Sequence, residues 1–461
     1  MRDLTQGSIT RHLLGMAGFI AVGLIVQTLY FLIDLYFVSR LGREAVAGVS
    51  ASGASWMLGM AAAQLIAVGA MSLIARALGA RQPEDAQLVF DQAVGLSLVF
   101  AAAALVLGWT LGPWALRGVG ADAATAAAGR EYLIAFVPAL ALMFPIGAIN
   151  AGLRSAGVVA QPMVISSGSL VVNAVLAPIL IGGWGPAPAL GVAGAGLASS
   201  IASVAALVLF VALFPRMQSV LRLSVAGLAP KPAVWRRITL IGLPASGEFA
   251  VMFVYLGVVY WVIRGFGAEA QAGFGIGMRV MQSVFLPAMA IAFAAAPIAG
   301  QNFGARDPHR VRATFRQAAV IGSAVMFVLT LLCHVAPQVL VSPFTTDAAV
   351  VAVAVDYLQI VSWNFVAVGL VFACSGMFQA LGDTRPALYS SAARLLTFAV
   401  PALWLSTQPW AELRHVWWVS VASVLFQAAL SLWLLRGQFR HKLGPLKAQG
   451  APAPEADAAP A

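Results

Sequence analysis

The sequence predicts an all-α polytopic membrane protein, with twelve transmembrane helices in two six-helix bundles related by a parallel pseudo-two-fold repeat. Three observations carry that prediction. Of 461 residues, 61% are apolar and only 10% are charged, with a mean hydropathy of +0.89. A soluble globular chain carries about 25% charged residues, so charge this sparse cannot cover a water-exposed surface. The apolar residues fall in twelve long runs, each near the roughly 20 residues that a bilayer-spanning helix needs. Finally, the two halves of the chain match each other at a constant offset of 225 residues. Together these features exclude a soluble enzyme, a disulfide scaffold and a disordered chain.

Taken in order, the runs are bounded by charge or by Gly/Pro punctuation. The first six fall at 13–39, 46–75, 88–115, 132–153, 162–183 and 190–214. The second six fall at 238–263, 270–299, 317–341, 356–381, 386–408 and 413–435. The first run is too long for a signal peptide, carries Asp34 and lacks a small-residue cleavage site. The expected organisation is an amino-terminal lobe at 1–214, a basic connector at 215–237, a carboxyl-terminal lobe at 238–436 and a tail at 437–461. After Gly444 the tail is low-complexity and expected to be partly disordered.

The net charge of +10 raises the question of nucleic acid, and its distribution answers it. The amino terminus, the even-numbered loops and the carboxyl terminus hold 19 of the 27 basic residues, whereas the opposite side holds six. The remaining two, Arg279 and Arg394, fall within spans. Cytoplasmic loops carry the Lys/Arg excess, so both termini are expected in the cytoplasm and no nucleic-acid partner is expected. Cys333 and Cys374 follow no metal-ligand or redox spacing and read as small packing residues.

The repeat is explicit. Leu41–Gly48 matches Phe266–Gly273 at five of eight positions, and Gly79–Ala93 matches Gly304–Ala318 at seven of fifteen. Glu131-Tyr132-Leu133 falls on Asp356-Tyr357-Leu358, and Gly157 on Gly382. Six spans per repeat is an even number, so both halves enter the membrane in the same orientation. Their relating axis then lies along the membrane normal, the arrangement of parallel-repeat transporters. No channel filter or charged ring is visible.

Several segments resemble the multidrug and toxic compound extrusion (MATE) family over residues 4 to about 440. They are the lead-in Leu4–Leu14, the stretch Gln27–Asp34 followed by Val38–Gly42, the loop Gly300–Arg306 and the loop Phe378–Pro386. The resemblance implies a multi-pass protein of the plasma (inner) membrane, exporting organic, often cationic, compounds in exchange for protons or sodium. A small-molecule substrate, the lipid bilayer and a monomeric state are the partners and assembly expected. Where many members carry a Pro in helix 1, this chain has Phe19; the repeat-equivalent Pro244 is present in the second lobe. The helix 5 pattern Asn-x-x-x-Asp-Pro reads Asn173 to Ala177-Pro178, so its Asp is absent, and Ser199 takes the place of a helix 6 Thr.

Acids within spans are few, and an unpaired charge in hydrocarbon costs several kcal/mol. Asp34 lies about two-thirds of the way through span 1, and Gln27, Tyr30 and Asp34 share a face at i, i+3 and i+7. This face suits a buried, hydrogen-bonded acid that exchanges a coupling ion, or a structural acid satisfied by its neighbours. By resemblance Asn173 complements Asp34; otherwise it is a packing amide. In span 7, Glu248 follows Pro244 by one turn, with Met252 and Tyr255 continuing its face. That set reads as a substrate or coupling site, or as an interface residue near the start of the span. Arg279 and Arg394 read as lobe-internal partners or interface anchors rather than an anion site. Glu131 and Asp356 read as helix-start acids that complement the dipole. Met278, Met281, Met289, Phe285, Trp363 and Phe378 form either an adaptable pocket or ordinary packing.

No nucleophile–base pair, metal spacing or P-loop is present, so the chain reads as a non-enzyme without a cofactor, driven by an ion gradient, the membrane potential or substrate flow. With Ala177 in place of a second acid, the amino-terminal lobe keeps one carboxylate, which favours protons over sodium. The alternative is a lipid-linked precursor flippase of the same superfamily, a class with extra spans and a basic central cavity.

Overall fold

The computed structural model describes residues 3–112, 114, 123–184, 188–217 and 220–449. The structure is 87% helical, with no strand among the described residues. Among the described residues, twelve helices are long and apolar enough to cross a bilayer. They are α1 (Ile9–Ser39), α2 (Arg43–Gly79), α3 (Pro83–Thr110), α4 (Ala123–Ser155), α5 (Ala160–Gly182) and α6 (Gly191–Leu213) in the first half. The second half contains α7 (Pro232–Ile263), α8 (Ala268–Gly304), α9 (Pro308–Val335), α10 (Ala348–Ala380), α11 (Arg385–Leu405) and α12 (Leu413–Gln449). A 3-10 turn at Ser362–Asn364 interrupts α10.

Local chemistry sets the ends. Ser8 caps α1 by accepting from the Arg11 amide, and Asp307 and Asp347 cap α9 and α10 in the same way. Proline opens α3, α7 and α9, where its missing N–H costs nothing. One interior proline shows the repair by a neighbour that hydrocarbon favours. Pro138 leaves the Ile134 carbonyl without its helical donor, and the Trp109 indole supplies one at 3.1 Å. Near Pro244, the Thr384 hydroxyl donates to the Ile241 carbonyl at 2.5 Å.

Several boundaries differ from the sequence reading. The helices run past the apolar runs because short Ala- and Val-rich turns on the far side of a charged residue belong to the same helix. Thus α4 begins at Ala123 and α10 at Ala348, which places Glu131 and Asp356 in the third turn and not at helix starts. Asp356 instead pairs with Arg414 on α12 at 2.8 Å. The ninth run is broken at Ala336, since Pro337 starts a separate short helix, Pro337–Val341. The last helix continues to Gln449, so the start of the expected tail is helical. The Ala-Pro run at 450–461, Arg2, Arg117 and the end of the third run lie outside the described residues.

The 225-residue repeat is visible in the backbone. Gly42 and Gly267 adopt φ of 112° and 103°, and Arg81 and Arg306 both adopt 58°. The two halves meet at their symmetry-related glycines. A Cβ on Gly79 would lie 1.9 Å from the Gln301 carbonyl oxygen, and one on Gly304 would lie 2.0 Å from that of Arg76. Both pairs are related by 225, so the pseudo-two-fold axis passes between them.

The lobes exchange the feet of their first helices. The lower part of α1 packs on α8, with Leu13, Met16, Ala17 and Ile20 against Ala290, Ala294 and Ile298. Likewise the foot of α7 packs on α2, with Ile238 joining a core of first-half residues. The upper parts return to their own lobes, Val38 with Ala177 and Tyr132, and Val259 with Tyr357 and Phe398. The buried seam between lobes therefore lies at the face bearing the termini, while the cores of the other half are lobe-internal.

Candidate functional site

Asp34 lies five residues before the end of α1, buried against α5 and α6. Its Oδ2 accepts from the Ser199 hydroxyl at 2.9 Å, and Ser199 in turn accepts from Asn173 Nδ2 at 3.3 Å. Asn173 and Ser199 are fully buried. Tyr30 and Tyr132 complete the cluster, close enough for the Asp34 charge to act on both hydroxyls. Asp34 Oδ1 and Asn173 Oδ1 are buried acceptors with no hydrogen-bond partner among the described residues. Of the predicted set, the fold thus brings together Asp34, Asn173 and Tyr30. Gln27 is exposed and has no hydrogen bond to this cluster. Ala177, where the family pattern has Asp, is packed in the adjoining apolar core.

The second acid occupies a different level. Glu248 lies near the midpoint of α7, not near its start, because that helix begins at Pro232 rather than at 238. Its Oε2 accepts from Ser375 at 3.2 Å and its Oε1 from Ser391 at 3.4 Å, with Gln427 donating to Ser391 at 3.1 Å. Neither Met252 nor Tyr255 joins it. Met252 is 46% exposed, and Tyr255 pairs its hydroxyl with Ser420 at 2.8 Å beneath the Arg394 guanidinium.

The repeat register shows how far the lobes have diverged. Tyr30, Asp34, Tyr132, Asn173 and Ser199 correspond to Tyr255, Val259, Tyr357, Phe398 and Val424. The polar cluster of the first lobe is thus an aromatic core in the second, with the Tyr255 and Phe398 rings 4.8 Å apart. Conversely, Glu248 corresponds to Gly23. In repeat register the two acids are eleven residues apart, about 16 Å along a helix.

Intramembrane arginines lack matching acids. Among the described residues the one ion pair is Arg414–Asp356. Arg394 lies 4.3 Å over the Tyr255 ring, and its buried Nε has no partner. Arg154, which the sequence placed in a loop, is in the last turn of α4, with its guanidinium 5.7 Å from the Phe293 ring of α8 and its buried Nε likewise unpartnered. Arg279 is exposed. The Met and aromatic candidates scatter: Met278 and Met281 take the Tyr357 hydroxyl, Phe378 is in the core and Trp363 is exposed.

Sequence reasoning missed Tyr132, Ser375, Ser391 and Gln427. The only signal for Tyr132 is its repeat partner Tyr357; the others lie 127 or more residues from Glu248.

With this geometry in place, the comparisons with known proteins are informative. The MatE family profile matches twice, over residues 20–179 and 244–405. The chain is 24% identical over 402 residues to a FAD transporter of Shewanella oneidensis, covering 86% of this chain and 88% of that one. It is 25% identical over 423 residues to the multidrug export protein MepA of Staphylococcus saprophyticus, covering 90% and 91%. It superposes on an outward-facing MATE family transporter of the MOP superfamily with a TM-score of 0.88 at 24% identity, over 96% of this chain and 98% of that one. A MOP superfamily transporter from Pyrococcus furiosus gives 0.87 at 24% identity over the same shares.

Proposed function

The chain belongs to the MatE family and is a membrane transporter rather than an enzyme, and from that premise we propose that it exports organic, drug-like compounds by alternating access in exchange for protons. The observation that carries the coupling ion is the donor shortage at Asp34. When Asp34 is ionised, Oδ1 and Asn173 Oδ1 are two buried acceptors without donors, a costly arrangement in a dry interior. A proton on Asp34 supplies the missing donor. Asp34 therefore cycles between protonated and ionised states, with Asn173, Ser199 and Tyr30 setting its affinity for the proton. No resident cofactor takes part. Glu248, held by two serines, carries substrate or a second ion in the other lobe.

Substrate charge has two readings. The multidrug name of the staphylococcal relatives supports an organic cation. An organic anion is supported by Arg154, an unpaired cation facing an aromatic ring of the other lobe, and by the FAD transporter among the relatives.

The test is transport by wild type, Asp34→Asn and Glu248→Gln in vesicles with imposed proton or sodium gradients, using ethidium and FAD as probes. Under a proton gradient Asp34→Asn is expected to lose at least about tenfold in rate, the equivalent of about 1.4 kcal/mol. An unchanged rate makes Asp34 structural. Transport driven by sodium alone replaces the proton. Export that moves neither ion favours the flippase alternative.

A further inference from the structure

The foot of α1 is held by a set of contacts that the coupling site does not use. Leu4, five residues before α1, is fully buried. Its amide donates to Gln301 Oε1 at 3.1 Å, and its carbonyl accepts from Asn302 Nδ2 at 3.2 Å and Arg310 Nη2 at 3.3 Å. Arg310 Nη1 also donates to the Gly7 carbonyl at 3.1 Å, and its Nε to Asn302 Oδ1 at 2.8 Å. In the first turn of the helix, the Thr10 hydroxyl donates to Gln317 Oε1 at 2.8 Å. All four clamping residues belong to α8 and α9, in the opposite lobe. Gln301 also crosses back, donating to the Ser155 carbonyl at the end of α4 at 2.6 Å. One side chain thereby holds the chain terminus and the first lobe together.

The second lobe has the counterpart. Gln92 is the repeat equivalent of Gln317. Its Nε2 donates to the Gly227 and Ala229 carbonyls at 2.8 Å, and its Oε1 accepts from the Lys231 amide at 2.7 Å. In each case the lead-in of one lobe's first helix is tied down by the other lobe.

We propose that residues 3–10 are a releasable strap, docked on Gln301, Asn302, Arg310 and Gln317 while the terminus-bearing face is closed and freed when the lobes part there. This rests on the alternating-access reading. The reason is mechanical. Helix α1 is continuous from Ile9 to Ser39 with no internal proline. Its upper part is seated in the first lobe through Val38 and the Asp34–Ser199 bond, and its foot in the second lobe through Leu13 and Met16. An unbroken rod cannot keep both seats when the lobes swing apart. The foot is the releasable seat: among the described residues the strap adds hydrogen bonds but no ion pair, Arg310 bonding to carbonyls and an amide and acting on Asp3 only at longer range. A change of charge at Asp34 is thereby transmitted along α1 to the seam.

Spin labels at Ala80→Cys and Ala305→Cys, which line one groove from the two lobes, measure separation at this face; both native cysteines are buried. Wild type is expected to show a short and a long distance, redistributed by pH or ethidium. Arg310→Ala and Asn302→Ala are expected to raise the long-to-short ratio at least about tenfold. In a separate protein, oxidising Thr10→Cys with Gln317→Cys is expected to slow ethidium export at least about tenfold, with recovery on reduction. If wild type switches but the variants match it, or if the cross-linked protein exports normally, the strap stays docked throughout and the proposal fails alone. A single distance under all conditions overturns alternating access and the strap together.

Discussion

Ser199 donates to Asp34 and is itself the acceptor for Asn173. Removing its hydroxyl leaves two partners short, a loss of about 1–3 kcal/mol for a buried group. Ser199→Ala is therefore expected to cut proton-driven export severalfold to a hundredfold, and Ser199→Thr to preserve it; vesicle transport distinguishes them. The acids of the site were legible in the sequence because ionisable residues are rare in apolar runs. Their serine and glutamine partners were not, since such residues also serve helix packing and lie far away along the chain. Gln27 shows the converse failure: helical spacing gives a shared stripe, but the neighbours decide which part of the stripe is covered. Outside the membrane, Asp3 behaves more simply. The Thr5 hydroxyl, with Arg81 and Arg310 nearby, holds its carboxyl below the usual carboxylate range. A depressed value means the turn's stabilisation is present above the ordinary value and is lost only as pH falls through the depressed one. Maleimide labelling of Leu4→Cys in a locked, closed state is accordingly expected to show no Asp3-dependent rise between about pH 5 and 8.

At the level of elements, close helix crossing at the seam depends on glycines, Gly242 against Leu65 and Gly69 against Ile238 as well as the axial pair. Gly79 and Gly304 let backbones touch at the axis, where a Cβ would meet carbonyl oxygens at 1.9 and 2.0 Å. Gly79→Ala is expected to force the lobes apart at the terminus-bearing face, seen as a longer separation between labels at 80 and 305 and a lower unfolding temperature. Gly18 on α1 has open space around its would-be Cβ, so Gly18→Ala is the control, expected to be neutral or to stabilise by about 0.5–1 kcal/mol. The number and order of spanning helices were readable from hydropathy, because hydrocarbon permits little besides helix. Their ends were not. Short Ala- and Val-rich turns at the start of α4 and α10 are set off from the main apolar runs by Glu131 and Asp356, and α12 continues through a polar stretch beyond Arg436, so none of them extends its run in the sequence. The exchange of helix feet between lobes was also invisible, since Leu13 and Ile238 look like any span residue until their neighbours are known.

For the whole molecule, the constant 225 offset was legible because loops of matching length and turn chemistry survive duplication even where side chains do not. Asp34 over Val259 and Glu248 over Gly23 show one scaffold carrying two different buried acids. The remaining choice is which face of the membrane holds the strap and the seam. Twelve crossings put both termini on one face. The sequence assigns that face 19 basic residues against six; with Arg154 in the last turn of α4 the excess is 18 against six, including Arg76, Arg81, Arg306 and Arg310 around the seam. Positively charged loops are retained in the cytoplasm during insertion, so the strap and seam are expected to face the cytoplasm and the opposite ends of the lobes the exterior. A reporter active only in the cytoplasm, fused after Gln449, is expected to be active. One fused in the loop between α1 and α2, at Leu41, is expected to be silent, whereas a reporter active only outside should give the reverse pattern. Activity of the external reporter at the carboxyl terminus would invert the molecule, and with it the side proposed for proton entry to Asp34.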